Sequence, residues 1–357
     1  MIPTNCNRLQ EEIFAKRAVV FVNDRIYFRC QRCMWQEDTT IDDMPLDLTA
    51  TFGGLKHMAI DPRISIDFGF QTLITDYLQR QLSHQNDILN AASGLFRRLS
   101  IEKNTSFLEG QPTAFFDKWI LFSGKDRGPT DFLIRRWGFA SYSWAGWVNN
   151  IEWNFLGERE LFYQGREWLA QRTWIKWYAR DQYNSLSVID WRMTQLVCKQ
   201  ESIYRSDFKS DYVQKLDTWR KLPTSYLSLT QPLRPYTLIH FWTVSAAFEL
   251  ACDDQSPRLD YRFDIIGLTG KPVGIIELDC ALRESSARPC ELLVMSECRY
   301  RGDLPGFRGE PPWNGYWVML IEWDGPVAER RGIGQILKPA LAEAFPPGPA
   351  WKEIILG

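Results

Sequence analysis

Tryptophan is the residue that most limits what this chain can fold into. Sixteen occur in 357 residues, nine of them between Trp119 and Trp191, and with 21 Phe and 13 Tyr they bring aromatic residues to 14% of the chain. Each large ring removes ~150–250 Å² of surface from water when it is buried. So many rings in one stretch need a thick core, or else they form a contact surface. Core is the commoner outcome, with each indole N–H finding a local acceptor. The length permits it: a chain of this size buries about three quarters of the surface exposed by its unfolded form, and it suggests two domains. Forty-two basic against 44 acidic residues leave a net charge of −2, which excludes a strongly basic nucleic-acid binder and a polyanionic tail.

No uncharged run approaches the roughly 20 apolar residues of a membrane span. Glu11 and Glu12 stand where a signal peptide would need its apolar stretch. The expectation is a cytoplasmic protein whose eight cysteines, at 6, 30, 33, 198, 252, 280, 290 and 298, are free thiols in a reducing compartment. In that setting the sequon Asn104-Thr105-Ser106 is accidental.

Apolar spacing sets the organisation. Leu9 to Arg17 reads as a short helix, and Ala18 to Val22 with Ile26 to Phe28 flank Asn23-Asp24-Arg25 as a hairpin. Residues 36–63 are acidic and punctuated by Gly and Pro, as a linker would be. Leu73, Ile74, Tyr77 and Leu78, then Leu89, Ala92, Leu95 and Phe96, recur at three and four, which predicts two helices broken near Ser83 to Asn86. Ser141 to Val148 alternates small and aromatic residues like a half-buried strand. Thr173 to Ala179 and Ser187 to Trp191 predict a hairpin around Arg180 to Ser185, and residues 199–221 a solvated connection. The last third is strand-rich: Leu238 to Leu250, Arg262 to Leu268, Val273 to Asp279, Glu291 to Met295 and Trp317 to Trp323. The fold class expected is α+β: a short helix and hairpin (1–35), a linker with a helical pair (36–117), and a large antiparallel β-rich part, sandwich- or barrel-like (118–357).

Motifs that carry chemistry are sparse. None of His57, His84 and His240 has a second histidine four residues on, so a helical zinc-peptidase site is absent, and no Gly-x-Ser-x-Gly elbow occurs. Gly267 to Lys271 has the wrong spacing for a phosphate loop, with Pro272 in place of Ser or Thr, and reads as a turn. Gly332-Ile333-Gly334 lacks the third glycine of a dinucleotide fingerprint and reads as a turn too. Cys30-Gln31-Arg32-Cys33 is half of a zinc site without its second pair, because Cys290 and Cys298 are too far apart to complete a knuckle. The tryptophans could stack sugars or bases, although the near-neutral charge weakens nucleic acid as a partner. No catalytic, cofactor-binding or metal residue is assigned, and no cofactor is implied.

Several runs resemble the fungal heterokaryon-incompatibility family. Leu9 to Arg17, Val19 to Phe21 and Ile26 to Cys30 are similar to the closing block of that family's domain, with Gln10 and Glu11 matching and Asn7-Arg8 replacing its Trp-Thr. Gly138 to Trp147 resembles the Phe-Pro-Ser-Trp-Ser-Trp-Ala-Gly-Trp run found downstream of the domain, and Val318 to Trp323, Ala328 to Gly334 and Trp351 to Ile354 resemble the usual ending. The two earlier blocks of the domain are absent, so the resemblance implies an N-terminally truncated member. The family is associated with non-self recognition and programmed death of fused cells, and its domain is distantly similar to Toll/interleukin-receptor-like domains, some of which hydrolyse NAD. Glu11 alone is no active site. The resemblance thus implies allorecognition through a protein partner, without nucleic acid or a membrane span, in a chain that is not catalytic. The alternatives are an enzyme or a small-ligand or carbohydrate-binding β module whose pocket sequence does not reveal, or a non-functional fragment.

Overall fold

The computed structural model describes residues 15, 17–22, 25–30, 34–37, 66–80, 82, 84–124, 133–148, 151–153, 168–169, 172–189, 234–252, 261–280, 289–299 and 313–357. The chain divides into two compact units, Met1–Thr105 and Ser106–Gly357. The expected helix at Leu9, the turn residues Asn23 and Asp24, most of the linker to residue 63, Trp191 and the connection at 199–221 lie outside the described residues.

In the first unit β1 (Arg17–Val22) and β2 (Arg25–Cys30) form the expected hairpin, antiparallel from Arg17 opposite Cys30 to Val22 opposite Arg25, and β3 (Met34–Gln36) extends it. Arg17, placed in a helix by its spacing, belongs to the strand. The helical pair follows as α1 (Ile66–Leu78) and α2 (Ile88–Lys103). Phe70, Leu73, Ile74 and Tyr77 form the buried stripe of α1, and Ile88, Ala92, Leu95 and Leu99 that of α2. The Tyr77 hydroxyl donates to the Ile88 carbonyl at 2.6 Å, fixing the start of the second helix to the end of the first. Asn104, the sequon asparagine, ends α2 in the left-handed conformation, a common asparagine C-cap.

The second unit opens with short pieces: β4 (Phe107–Leu108), β5 (Gln111–Pro112), α3 (Phe116–Trp119), β6 (Ser123–Gly124), β7 (Ile134–Arg135), β8 (Trp147–Val148) and β9 (Ile151–Glu152). They pair β4 with β5, β6 with β9, and β7 with β8. Next come β10 (Tyr178–Arg180) and β11 (Leu186–Val188), the expected hairpin in shortened form.

The remainder is β12 (Leu238–Cys252), β13 (Arg262–Ile266), β14 (Pro272–Leu278), β15 (Cys290–Cys298), β16 (Gly315–Asp324), β17 (Val327–Leu337) and β18 (Phe345–Leu356). Pairing runs β12–β13–β14–β17–β16–β15 and returns to β12, antiparallel throughout, so six strands close into a barrel and no edge of the ring is left open. The long β12 serves twice. Its first half carries β10 and β18, and its second half closes the ring against β15 and β13.

Register and alternation sort the barrel's side chains. Phe248, Leu250, Ile265, Ile276, Leu278, Leu292, Val294, Val318, Leu320 and Ile336 share one face, all buried, while Arg262, Asp264, Glu277, Glu291 and Gln335 lie on the other. The apolar face therefore points inward, and the interior is an aliphatic and aromatic core. A six-stranded ring is narrow, and its strands approach closely: a Cβ at Gly334 would collide with the Ile275 carbonyl oxygen and Ile276. This overturns the reading of Gly332-Ile333-Gly334 as a turn. Those glycines lie mid-strand in β17, where the absent side chains let β14 and β17 pack.

Candidate functional site

The run from Gly138 to Trp147, the most distinctive of the sequence, is not the half-buried strand that its alternation suggests. Trp144–Gly146 is a 3₁₀ turn, Ser143 caps it by accepting from the Ala145 N–H at 3.0 Å, and Ser141 to Trp147 are all buried. Alternation here reflects polar groups bonding to scattered backbone, not the two faces of a sheet. Glu109 and Gly110 join β4 to β5 with φ of 47° and 79°, as in a two-residue hairpin turn of the primed kind. That turn is caught by the run: Ser143 Oγ donates to the Glu109 carbonyl at 2.6 Å and Trp144 Nε1 to the Gly110 carbonyl at 2.8 Å. Tyr142 Oη reaches the Thr237 carbonyl at 2.7 Å, and Glu109 Oε1 accepts from the Thr237 N–H at 2.9 Å. Ser141 Oγ donates to the Gly357 carbonyl and accepts from the Arg330 N–H at 2.8 Å. Ser141, Arg330 and Gly357 thus meet at one point.

Arg330 is the centre of that meeting. Its side chain is fully buried, with Nε on Asp279 Oδ2 at 2.7 Å, Nη1 on the Ile120 carbonyl at 2.6 Å and Nη2 on the Phe122 carbonyl, and its guanidinium lies 3.6 Å from the Phe122 ring centroid. The register of β16 against β17 shifts between Leu320 and Ile321, so Arg331 is skipped and two consecutive arginines find separate partners. Arg331 bonds Glu329 at 2.8 Å and lies 2.7 Å from Glu322. It also reaches Cys280 Sγ at 3.4 Å, yet burial pushes that thiol above its ordinary range, so it stays a thiol and not a nucleophilic thiolate.

The histidines and cysteines separate under the structure. His57 and Cys33 lie outside the described residues, as does the Cys30 side chain, and His84 sits exposed before α2. Cys290 and Cys298 occupy opposite ends of β15, and neither they nor Cys280 form a disulfide. His240 is buried in β12 between Arg180 and Glu353. Arg180 Nη2 can only donate, so Nδ1 at 3.0 Å accepts, and the proton sits on Nε2 facing Glu353 Oε1 at 2.8 Å. Burial holds this imidazole below its usual range. Both nitrogens are engaged, and Arg180 occupies the place from which a base would take a proton. Asp117 on α3 is displaced as well: burial pushes its carboxyl up to about 7, against the Trp177 indole beside it.

Most rings are core. Trp119, Trp144, Trp147, Trp153, Trp168 and Trp177 are essentially inaccessible. One is different. Trp137 is 65% exposed and Ile134 is 60% exposed on the β7 hairpin, and both sit on a rigid base. Arg135 donates to the carbonyls of Arg136, Phe139 and Gly146, Arg136 donates to those of Ala145 and Trp147, and the Arg135 guanidinium lies between the rings of Trp137 and Trp147 at 5.5 and 5.3 Å. Sequence reasoning did not single out Trp137, because nothing in its neighbours separates an exposed indole from a buried one. Comparison with known proteins returns no match to a family model, to a curated protein or to a solved structure. No helix among the described residues is long and apolar enough to cross a membrane.

Proposed function

We infer that the chain is a heterokaryon-incompatibility-type protein that takes part in non-self recognition and regulated death of fused fungal cells by contacting a protein partner. The observation that carries the contact reading is the Ile134–Trp137 knuckle. An exposed indole whose orientation is set by a stacked guanidinium loses little freedom on binding, as the anchors of protein interfaces do. Supporting the family reading, two of the runs that resemble it, Gly138 to Trp147 and Ala328 to Gly334, are bound to each other through the Arg330 N–H and Ser141 Oγ. A catalytic role for His240 is disfavoured by Arg180 on its Nδ1.

The test is expression in a filamentous fungus with the tagged wild-type chain and with Ile134→Asp/Trp137→Ala. The wild type is expected to arrest growth and to capture a partner reproducibly. The double variant should lose both while melting at the same temperature. A wild type with neither phenotype nor partner rejects the reading, and a fully active double variant removes the knuckle as the contact.

A further inference from the structure

We propose that His240 is an acid-released latch: a proton on its Nδ1 expels Arg180 and frees the β10–β11 hairpin from β12. Three strands meet at this imidazole. Tyr178 of β10 lies opposite His240 on one side of β12, and Ile355 of β18 lies opposite it on the other. Arg180 crosses from β10 to donate to Nδ1 at 3.0 Å, and Nε2 donates to Glu353 of β18 at 2.8 Å. The ring has no exposed surface. Among the described residues, the charged or titratable groups that face it are Tyr178 and Arg180 from β10 and Glu353 from β18, while its own strand offers Leu238 and Trp242.

Only the neutral imidazole fits this arrangement. A guanidinium has five N–H donors and no acceptor, so it bonds Nδ1 only while that nitrogen keeps its lone pair. A proton taken from solvent turns Nδ1 into a second donor, breaks the Arg180 bond and sets two cations against each other. Glu353 favours the charged ring, but burial and Arg180 oppose it, and the balance holds the imidazole below its usual range. Such a group binds its proton more readily once the hairpin is off, so acid favours the open form from pH 6.5 downward. The hairpin is built to leave as a unit. Asp181 Oδ1 accepts from the N–H groups of Tyr183 and Ser185 at 2.9 and 2.8 Å, so the bonds of its turn are internal. Three residue pairs join β10 to β12, against eight for β18 along the same strand. Trp177, packed on Phe241 at 4.6 Å, anchors the chain just before β10 and marks where the release stops. Release bares the edge of β12 from Leu238 to His240. The latch shares no residue with the Ile134–Trp137 contact.

The test is amide hydrogen exchange read by mass spectrometry on the full chain at pH 7.5 and pH 5.0, corrected for the intrinsic pH dependence of exchange. Peptides from Tyr178 to Val188 are expected to lose about tenfold in protection at the lower pH, while β16 keeps its own. His240→Asn offers Oδ1 in place of Nδ1 and takes no proton, so its hairpin should be equally protected at both values. A second measurement keeps the inference testable if that variant fails to fold. The chain has three histidines, and the His240 imidazole signal, assigned with His57→Gln and His84→Gln, should titrate below 6.5 in step with the loss of protection. Hairpin protection unchanged by acid, loosening shared equally by β16, loosening that persists in His240→Asn, or a His240 titration at or above 6.5 overturns it.

Discussion

In the barrel, backbone groups pair strand to strand along ladders of up to ten residue pairs, and the inward side chains have only to fill space. Between Ser106 and Trp153 no ladder among the described residues exceeds two pairs, yet the segment is as deeply buried. Its carbonyls are satisfied by side chains instead. Trp119 donates to Ala114, Trp144 to Gly110, Trp147 to Ser141 and Trp153 to Trp119, at 2.8 to 3.0 Å. Edge-to-face packing adds to this, with Trp119 and Trp153 centroids 5.6 Å apart at 85°. Irregular backbone can thus be made core-like when each large ring also supplies a donor, whereas a closed sheet needs only shape. The two regions should respond differently to the same class of substitution.

The largest effect is expected where they join. Arg330→Leu removes four hydrogen bonds and leaves Asp279 buried without its partner, which should cost about 3–5 kcal/mol in denaturant unfolding. Arg330→Leu/Asp279→Leu should recover part of that loss, and a single variant within 1 kcal/mol of wild type would show that the junction is not what ties the regions together. Next comes the barrel alone: Gly334→Ala forces a Cβ into the β14 backbone and should cost about 3 kcal/mol in the same unfolding measurement.

A matched pair sharpens the contrast. Trp144→Phe keeps a ring but strands the Gly110 carbonyl, for about 2 kcal/mol, whereas Phe248→Leu inside the barrel should cost about 1 kcal/mol. Equal losses in unfolding midpoint would erase the distinction. A further effect depends on pH. Asp117 has its folded value raised to about 7 from an ordinary 3.8, so the native state holds the proton more tightly than the unfolded chain, and stability falls as pH rises across that window. Asp117→Asn should therefore flatten the melting temperature between pH 5 and pH 8, the variant gaining about 2–3 kcal/mol on wild type over that range. A variant that tracks wild type across both pH values would mean that the carboxyl is ionised throughout.

The legible parts of the fold were those in which one rule dominated. Repeats of three and four at Leu73, Ile74 and Tyr77 gave the helices, and β-branched runs such as Val318 to Trp323 gave five strands of the final sheet. β17 reads from sequence as a turn within a β-like segment because Val-Ala-Glu-Arg-Arg-Gly-Ile-Gly-Gln is charged and glycine-rich, and the partners of Arg330 and Arg331 are what allow its burial as a strand. β18 was missed because prolines 346, 347 and 349 argue against a strand. The ladder with β12 skips those positions, pairing at Phe345 and resuming at Ala350. Ser141 to Trp147 misled for the reason that makes the run distinctive, since its period of two belongs to hydrogen-bonding groups and not to faces. The latch was illegible because Arg180, His240 and Glu353 are residue types that are ordinary one at a time and distant along the chain.

Arg330 bonds the Ile120 carbonyl across 210 positions of sequence, and Ser141 bonds Gly357 across 216. Contacts so distant are the slow ones in folding, because loop closure must precede any reward from them. During synthesis the indoles of the stapled segment leave the ribosome long before β17 and β18 exist to receive them. The tryptophan-dense stretch therefore waits for β17 and β18, and the time to make them sets how long its rings lack those partners.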